Sequence, residues 1–184
     1  MFLLRVEKAI NRFSDILGKI AAVLFILLLF NVFFDVIMRY LFNDVSIGMQ
    51  EMEWHLFATI FLIGVPYAIY TEGHVRVDII YADLSAKKRA WIDLIGTLVL
   101  LLPFTLLVMN FGIEFTHESF TLGERSGDPG GLPYRWIIKG VIPFAFASMA
   151  LSGVGIVLRS INIIRGIEAE DETKAEEHRG GFLS

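Results

Sequence analysis

The chain has 184 residues, a mass of 20.8 kDa, a net charge of −4 and a mean hydropathy of +0.61, with 55% hydrophobic and 20% charged residues. Soluble domains carry about 25% charged residues and fewer apolar ones, so the composition excludes an ordinary soluble domain. The absence of cysteine excludes disulfides, thiol catalysis and Cys-ligated metals, and the negative balance excludes a nucleic-acid partner. A membrane protein remains.

Residues 1–18 read as an amphipathic arm. Leu3, Val6, Ile10, Phe13 and Leu17 recur at three- and four-residue spacing, while Arg5, Lys8 and Arg12 fall on other faces. That pattern predicts a helix lying on the inner leaflet. The membrane domain is expected over 19–160. About 20 helical residues cross a ~30 Å hydrocarbon core, and four stretches qualify, giving spans at 20–40, 54–70, 92–114 and 137–159. Each is apolar nearly all round, unlike the striped helices of a soluble bundle. The fold class expected is therefore all-α, with four transmembrane helices. A second interfacial helix is expected between spans at 77–84. The tail, 161–184, holds six carboxylates within 168–177 and is expected to be disordered.

Orientation follows from the basic residues. The arm holds Arg5, Lys8, Arg12 and Lys19, the second connection Arg76, Lys87, Lys88 and Arg89, and the tail Arg159, Arg165, Lys174 and Arg179. These are twelve of the 16 Lys and Arg residues. Only Arg39, Arg125, Arg135 and Lys139 fall on the other side, so both termini are expected in the cytoplasm. Tyr40, Trp54, Tyr134 and Trp136 then mark the outer interface.

In the first span, Asn31, Asp35 and Arg39 share one helix face. An ion or proton site is one reading of a charge at that depth. One Asp beside an Arg makes a poor cation site, however, so a structural pair of Asp35 with Arg39 is the reading taken. His55 and His117 reach similar depth on neighbouring spans and could ligate haem. Both lie at the headgroup boundary, where polar residues need no further role. Ala145, Ser148, Ser152 and Gly155 form a small-residue stripe that lets helices approach, inside the chain or between subunits. Pro66 and Pro103 read as kinks. The outer connection, with four glycines and two prolines in 123–133, prescribes a turn-rich backbone suited to a partner. No catalytic constellation is present, so no enzyme, cofactor or metal is expected.

Three stretches carry a resemblance when taken together: Arg39-Tyr40-Leu-Phe-Asn43, Glu51-Met-Glu53-Trp54, and Gly73-His74-Val-Arg-Val-Asp78. With the Gly-Glu-Arg-Ser…Pro-Gly-Gly-Leu-Pro loop and four spans, residues 20–158 resemble the DctQ-like small membrane subunit of TRAP (tripartite ATP-independent periplasmic) transporters. The paired acids are split here by Met52, which leaves open whether Glu51 or Glu53 fills the family position. The resemblance implies a bacterial inner-membrane scaffold in a sodium-coupled transporter of organic solutes, carboxylates in particular. Its implied partners are a larger multi-span subunit and a periplasmic substrate-binding protein. Glu124, Arg125 and Asp128 are the expected docking residues for the latter. The alternative reading is a haem- or quinone-binding anchor of a respiratory complex.

Overall fold

The computed structural model describes residues 2–71 and 84–166. It contains four long helices: α1, Phe2–Leu41; α2, Ile47–Tyr70; α3, Ala86–Thr121; and α4, Trp136–Ile164. All four are long and apolar enough to cross a membrane, and no strand occurs among the described residues. The chain is an all-α membrane protein. Gly73, His74 and Asp78, nearly all of the interfacial segment at 77–84, and the acidic stretch at 168–177 lie outside the described residues.

Three boundaries differ from the expected ones for one reason. A span ends where the hydrocarbon ends, whereas a helix ends where its backbone is capped. The arm and first span, divided at residue 18 on composition, form one 40-residue helix. Gly18 at that division is no breaker, because the helix can run through a single glycine at a cost of about 1 kcal/mol. Helix α2 begins seven residues before Trp54, where Ser46 accepts a hydrogen bond from Met49 N–H at 3.3 Å. Helix α3 starts through Lys87, Lys88 and Arg89, whose charges terminate a span but not a helix.

Helix α4 is the axis of the bundle and packs against α1, α2 and α3. The most apolar stretch of α4 is 39% buried, against 11–17% for the other helices. The small-residue stripe expected there is turned inward: Ala145, Ser148, Ser152 and Gly155 are all buried. Lipid is as apolar as leucine, so side-chain size rather than hydrophobicity decides which faces meet. Phe25, Phe30, Phe33, Phe57, Phe104 and Phe111, too bulky for such crossings, remain exposed on the outside.

Hydroxyl groups knit the crossings together. Ser14 of α1 lies 2.9 Å from Ser152 of α4, within hydrogen-bond distance, and 3.2 Å from Ile10 O. Ser152 also lies 3.4 Å from Pro66 O on α2. One hydroxyl pair thus sits where three helices converge, on the apolar stripe of the arm. At the adjacent α1–α2 crossing, a Cβ on Gly18 would stand 2.6 Å from the Tyr67 ring.

Helix α3 carries a wide turn at Thr97–Leu101, with Leu102 N–H reaching back five residues to Thr97 O. Pro103 follows and cannot donate to the ladder. Two residues on, Thr105 Oγ1 donates to Leu101 O at 2.8 Å. Pro143, inside α4, packs on Gly112 of α3: a Cβ at Gly112 would lie 3.1 Å from Pro143 Cδ and 3.2 Å from its nitrogen. The neighbour is a ring fixed in the backbone, so it cannot swing away. Gly112→Val is therefore expected to destabilise the bundle by about 1–3 kcal/mol, measured as a lower unfolding midpoint in detergent.

Candidate functional site: the clamped outer loop

Two connections meet at the end of the bundle opposite the termini. The shorter joins α1 to α2. Asn43 adopts a left-handed conformation (φ 52°), and Asp44 N–H closes back on Met38 O at 3.1 Å. Asn tolerates this conformation better than most side chains, which gives the Asn43 of the Arg-Tyr-Leu-Phe-Asn stretch a capping role. One turn earlier, Asp35 is buried and receives a charge-assisted hydrogen bond from Arg39 Nη2. Asn31, on the same face, donates to Met49 O at 3.0 Å and pins α1 to the first turn of α2.

The longer connection, 122–135, folds around a tight turn. Pro129 and Gly130 (φ 84°) occupy its centre, and Gly131 N–H closes on Asp128 O at 3.0 Å. Pro followed by a positive-φ Gly is the sequence of a type II turn. Ser126 N–H donates to Leu132 O and Arg135 N–H to Glu124 O, each at 3.1 Å, so the loop closes on itself twice. A Cβ at Gly131 would collide with the Ser126 side chain.

Glu51 fastens this loop to α2. Its carboxylate accepts from Leu132 N–H at 2.6 Å, from the Ser126 hydroxyl at 2.5 Å and from Arg135 Nη2 at 3.3 Å. Glu51 is only 6% exposed, so these donors replace the water it has lost. Arg135 also stands 6.0 Å from the centre of the Trp54 ring. Of the two split acids, Glu51 makes the clamp, while Glu53 is half-exposed and takes no part in it. Composition marks the loop as constrained but does not reveal its anchor, because 75 residues separate Glu51 from Ser126. The available signal was an acid at the start of one span with Arg135 at the start of another.

The three expected docking residues do not behave alike. Arg125 and Asp128 are exposed. Glu124 is tied by an ion pair to Lys139 of α4, whose ammonium lies 3.9 Å from the Phe115 ring centre. Lys139's hydrogen bond holds the Glu124 carboxyl below the usual carboxylate range. A lowered folded-state pKa means this tie is fully present above the ordinary carboxylate pKa and is lost as pH falls through the lowered value. His55 is engaged locally, its Nδ1–H donating to Glu51 O at 2.5 Å, with its ring against Trp54. His117 is exposed on α3. No group of three or more His, Cys, Asp or Glu able to hold a metal occurs among the described residues.

The described residues thus form a four-helix membrane bundle whose outer loop is clamped to the start of one helix. Residues 28–162 match the family described as tripartite ATP-independent periplasmic transporters, DctQ component, and the chain belongs to that family. It is 26% identical to the C4-dicarboxylate TRAP transporter small permease protein DctQ of Vibrio cholerae, over 78% of this chain and 72% of that protein. The Pseudomonas aeruginosa protein of the same description is 27% identical, over 70% of this chain and 67% of its own length. The sialic acid TRAP transporter permease protein SiaT of Haemophilus influenzae is 27% identical over 77% of this chain but only 22% of that protein. No solved structure matches the chain significantly. These relatives are permease subunits and not enzymes, and none supports the respiratory-anchor alternative.

Glu51→Gln replaces an acceptor-only group by one that cannot satisfy three donors. Losing one buried hydrogen bond to a charged group costs about 1.5–3 kcal/mol. Leu132 amide exchange should therefore accelerate by roughly ten- to hundredfold, while helix content is unchanged; unaltered protection would remove Glu51 from this role. For the Glu124–Lys139 tie, acidification to about pH 5 should leave the Lys139 ammonium signal in place. Only stronger acid should release it.

Proposed function

We propose that this chain is the scaffold subunit of a sodium-coupled, binding-protein-dependent secondary transporter for organic solutes, carboxylates among them. In this reading it supports the large transport subunit and offers its clamped loop to the periplasmic binding protein. Membership of the small-subunit family supports a transporter role and implies association with a large permease subunit. The match to 22% of a longer permease polypeptide agrees with such a partner, since a region like this chain is there joined to a larger one. The C4-dicarboxylate relatives favour an organic acid substrate.

The observation that carries the docking role is the way Glu51 immobilises the 122–135 loop while Arg125 and Asp128 stay exposed on it. A pre-ordered loop loses little entropy when a partner lands, and exposed charges steer the encounter. Glu124 is paired with Lys139, which favours Arg125 and Asp128 as the charges a partner meets.

Transport itself belongs to the partner subunit in this reading. A transport site uses polar groups and broken helices near the midplane, whereas the buried hydroxyls of Thr105, Ser148 and Ser152 are spent on backbone carbonyls of their own helices. Both termini are assigned to the cytoplasm of a bacterium with an inner membrane. The terminal end carries Arg5, Lys8, Arg12, Lys19, Lys87, Lys88, Arg89, Arg159 and Arg165 among the described residues, against Arg39, Arg125, Arg135 and Lys139 at the loop end.

Reversing both loop charges, Arg125→Glu with Asp128→Lys, should reduce transport by the assembled complex, with a larger deficit at low ionic strength. The two membrane subunits should still co-purify. Full transport with the reversed loop would end the docking role, and loss of co-purification would assign the loop to the large subunit instead. A reporter active only outside the cytoplasm, fused to the C-terminus, should stay silent.

A further inference from the structure

At the other end of the bundle the described residues line a cavity of about 660 Å³, between the start of α1, the end of α2, the start of α3 and the end of α4. Its wall is chemically divided. Ile69, Tyr70, Ile156 and Ile163 form an apolar side, while Glu7, Lys87 and Arg89 bring charge of both signs. Asp93 and Arg159 also line it, and both are already engaged in interactions of their own.

Glu7 is the unusual member. It is 8% exposed and accepts a hydrogen bond from Asn162 Nδ2 at 3.1 Å, with no cation paired to it among the described residues. A carboxylate buried that far with one neutral donor lacks the counter-charge that buried acids need. Lys87 and Arg89 sit on the first turn of α3, where the helix dipole adds to their positive field. Arg89 is anchored through Nε to Leu84 O at 2.9 Å, which leaves its terminal nitrogens as further donors.

We infer that this cavity holds the headgroup of a zwitterionic phospholipid of the phosphoethanolamine type. Glu7 takes the ammonium, Lys87 and Arg89 take the phosphate, and the wall of Ile69, Ile156 and Ile163 meets the apolar portion. Three features select this occupant. The ligand must supply a cation for Glu7 and an anion for α3, which a purely anionic headgroup does not. It must have an apolar portion for the isoleucine wall. It must also approach at the level where the polar helix ends begin, with Tyr70 at the end of α2, and this is headgroup depth. The site lies at the end of the bundle opposite the clamped loop and is independent of the docking role.

Native mass spectrometry of the full-length protein in mild detergent, titrated with synthetic phosphatidylethanolamine and phosphatidylglycerol of identical chains, tests this. The protein should bind phosphatidylethanolamine about tenfold more tightly. Glu7→Gln keeps an acceptor for Asn162 but removes the charge, and should abolish the preference by weakening only the ethanolamine lipid. Lys87→Gln with Arg89→Gln changes exposed residues, leaves the buried Glu7–Asn162 contact intact, and should weaken both lipids. Lys8→Gln, an exposed charge beside Glu7 but outside the cavity, should change neither. Equal binding of the two lipids, tighter binding of phosphatidylglycerol, or equal losses in the Lys8 variant would overturn the assignment.

Discussion

A helical bundle in lipid cannot be assembled by expelling apolar side chains from water, since those side chains are already in an apolar solvent. Close approach is what remains, and here it depends on α4. Its inward face presents Ala145, Ser148, Ser152, Gly153 and Gly155, all buried, so that α1, α2 and α3 can each come near one axis. Dispersion at such distances accumulates over many weak contacts. The hydroxyl pair Ser14–Ser152 and the Pro143–Gly112 contact then fix register along that axis. Bulk on this stripe would cost more than a local clash, because a single helix separates the other three from a common centre.

The two ends of the bundle use charge differently. At the loop end, Glu51 and Glu124 each receive a basic partner, and the result is a rigid lid over the start of α2. At the terminal end, cations line the exposed surface of the arm and the first turn of α3, while Glu7 stays buried without one. The first arrangement ties the backbone of a surface loop to α2 and α4. The second keeps a polar opening beneath an otherwise apolar structure.

Four spans were legible in the sequence because each stands out as an unbroken apolar run, and the Asp35–Arg39 pair because a helix repeats every four residues. The wide turn at Thr97–Leu101, just ahead of Pro103, leaves no such mark in the sequence. Spans read from apolar length do not give the helix ends: residues 47–53 and 86–91 are helical beyond the apolar runs, and the amphipathic helix expected at the N-terminus continues into the first span without a break. The Glu51 clamp escaped notice because a hydrogen bond to a backbone N–H, such as that of Leu132, leaves no trace in side-chain identity. Pro143 was passed over as one apolar residue in a span, yet its meaning depends on Gly112, 31 positions away in a different helix. The partner of Glu124 is hidden from the sequence in a related way. Lys139 neutralises it from α4, across a loop whose path composition alone does not trace.

The unbroken length of α1 has a mechanical consequence. Forty residues at 1.5 Å each make a rod of about 60 Å, roughly twice the hydrocarbon thickness. It is pegged to α4 near one end, by Glu7 with Asn162, and to α2 toward the other, by Asn31 with Met49 O. A rod fastened at two heights cannot slide past its neighbours to match a thinner or thicker bilayer. Mismatch must then be taken up by inclination of the whole assembly, so that α1 acts as a gauge rod holding the two faces of the subunit at a constant separation.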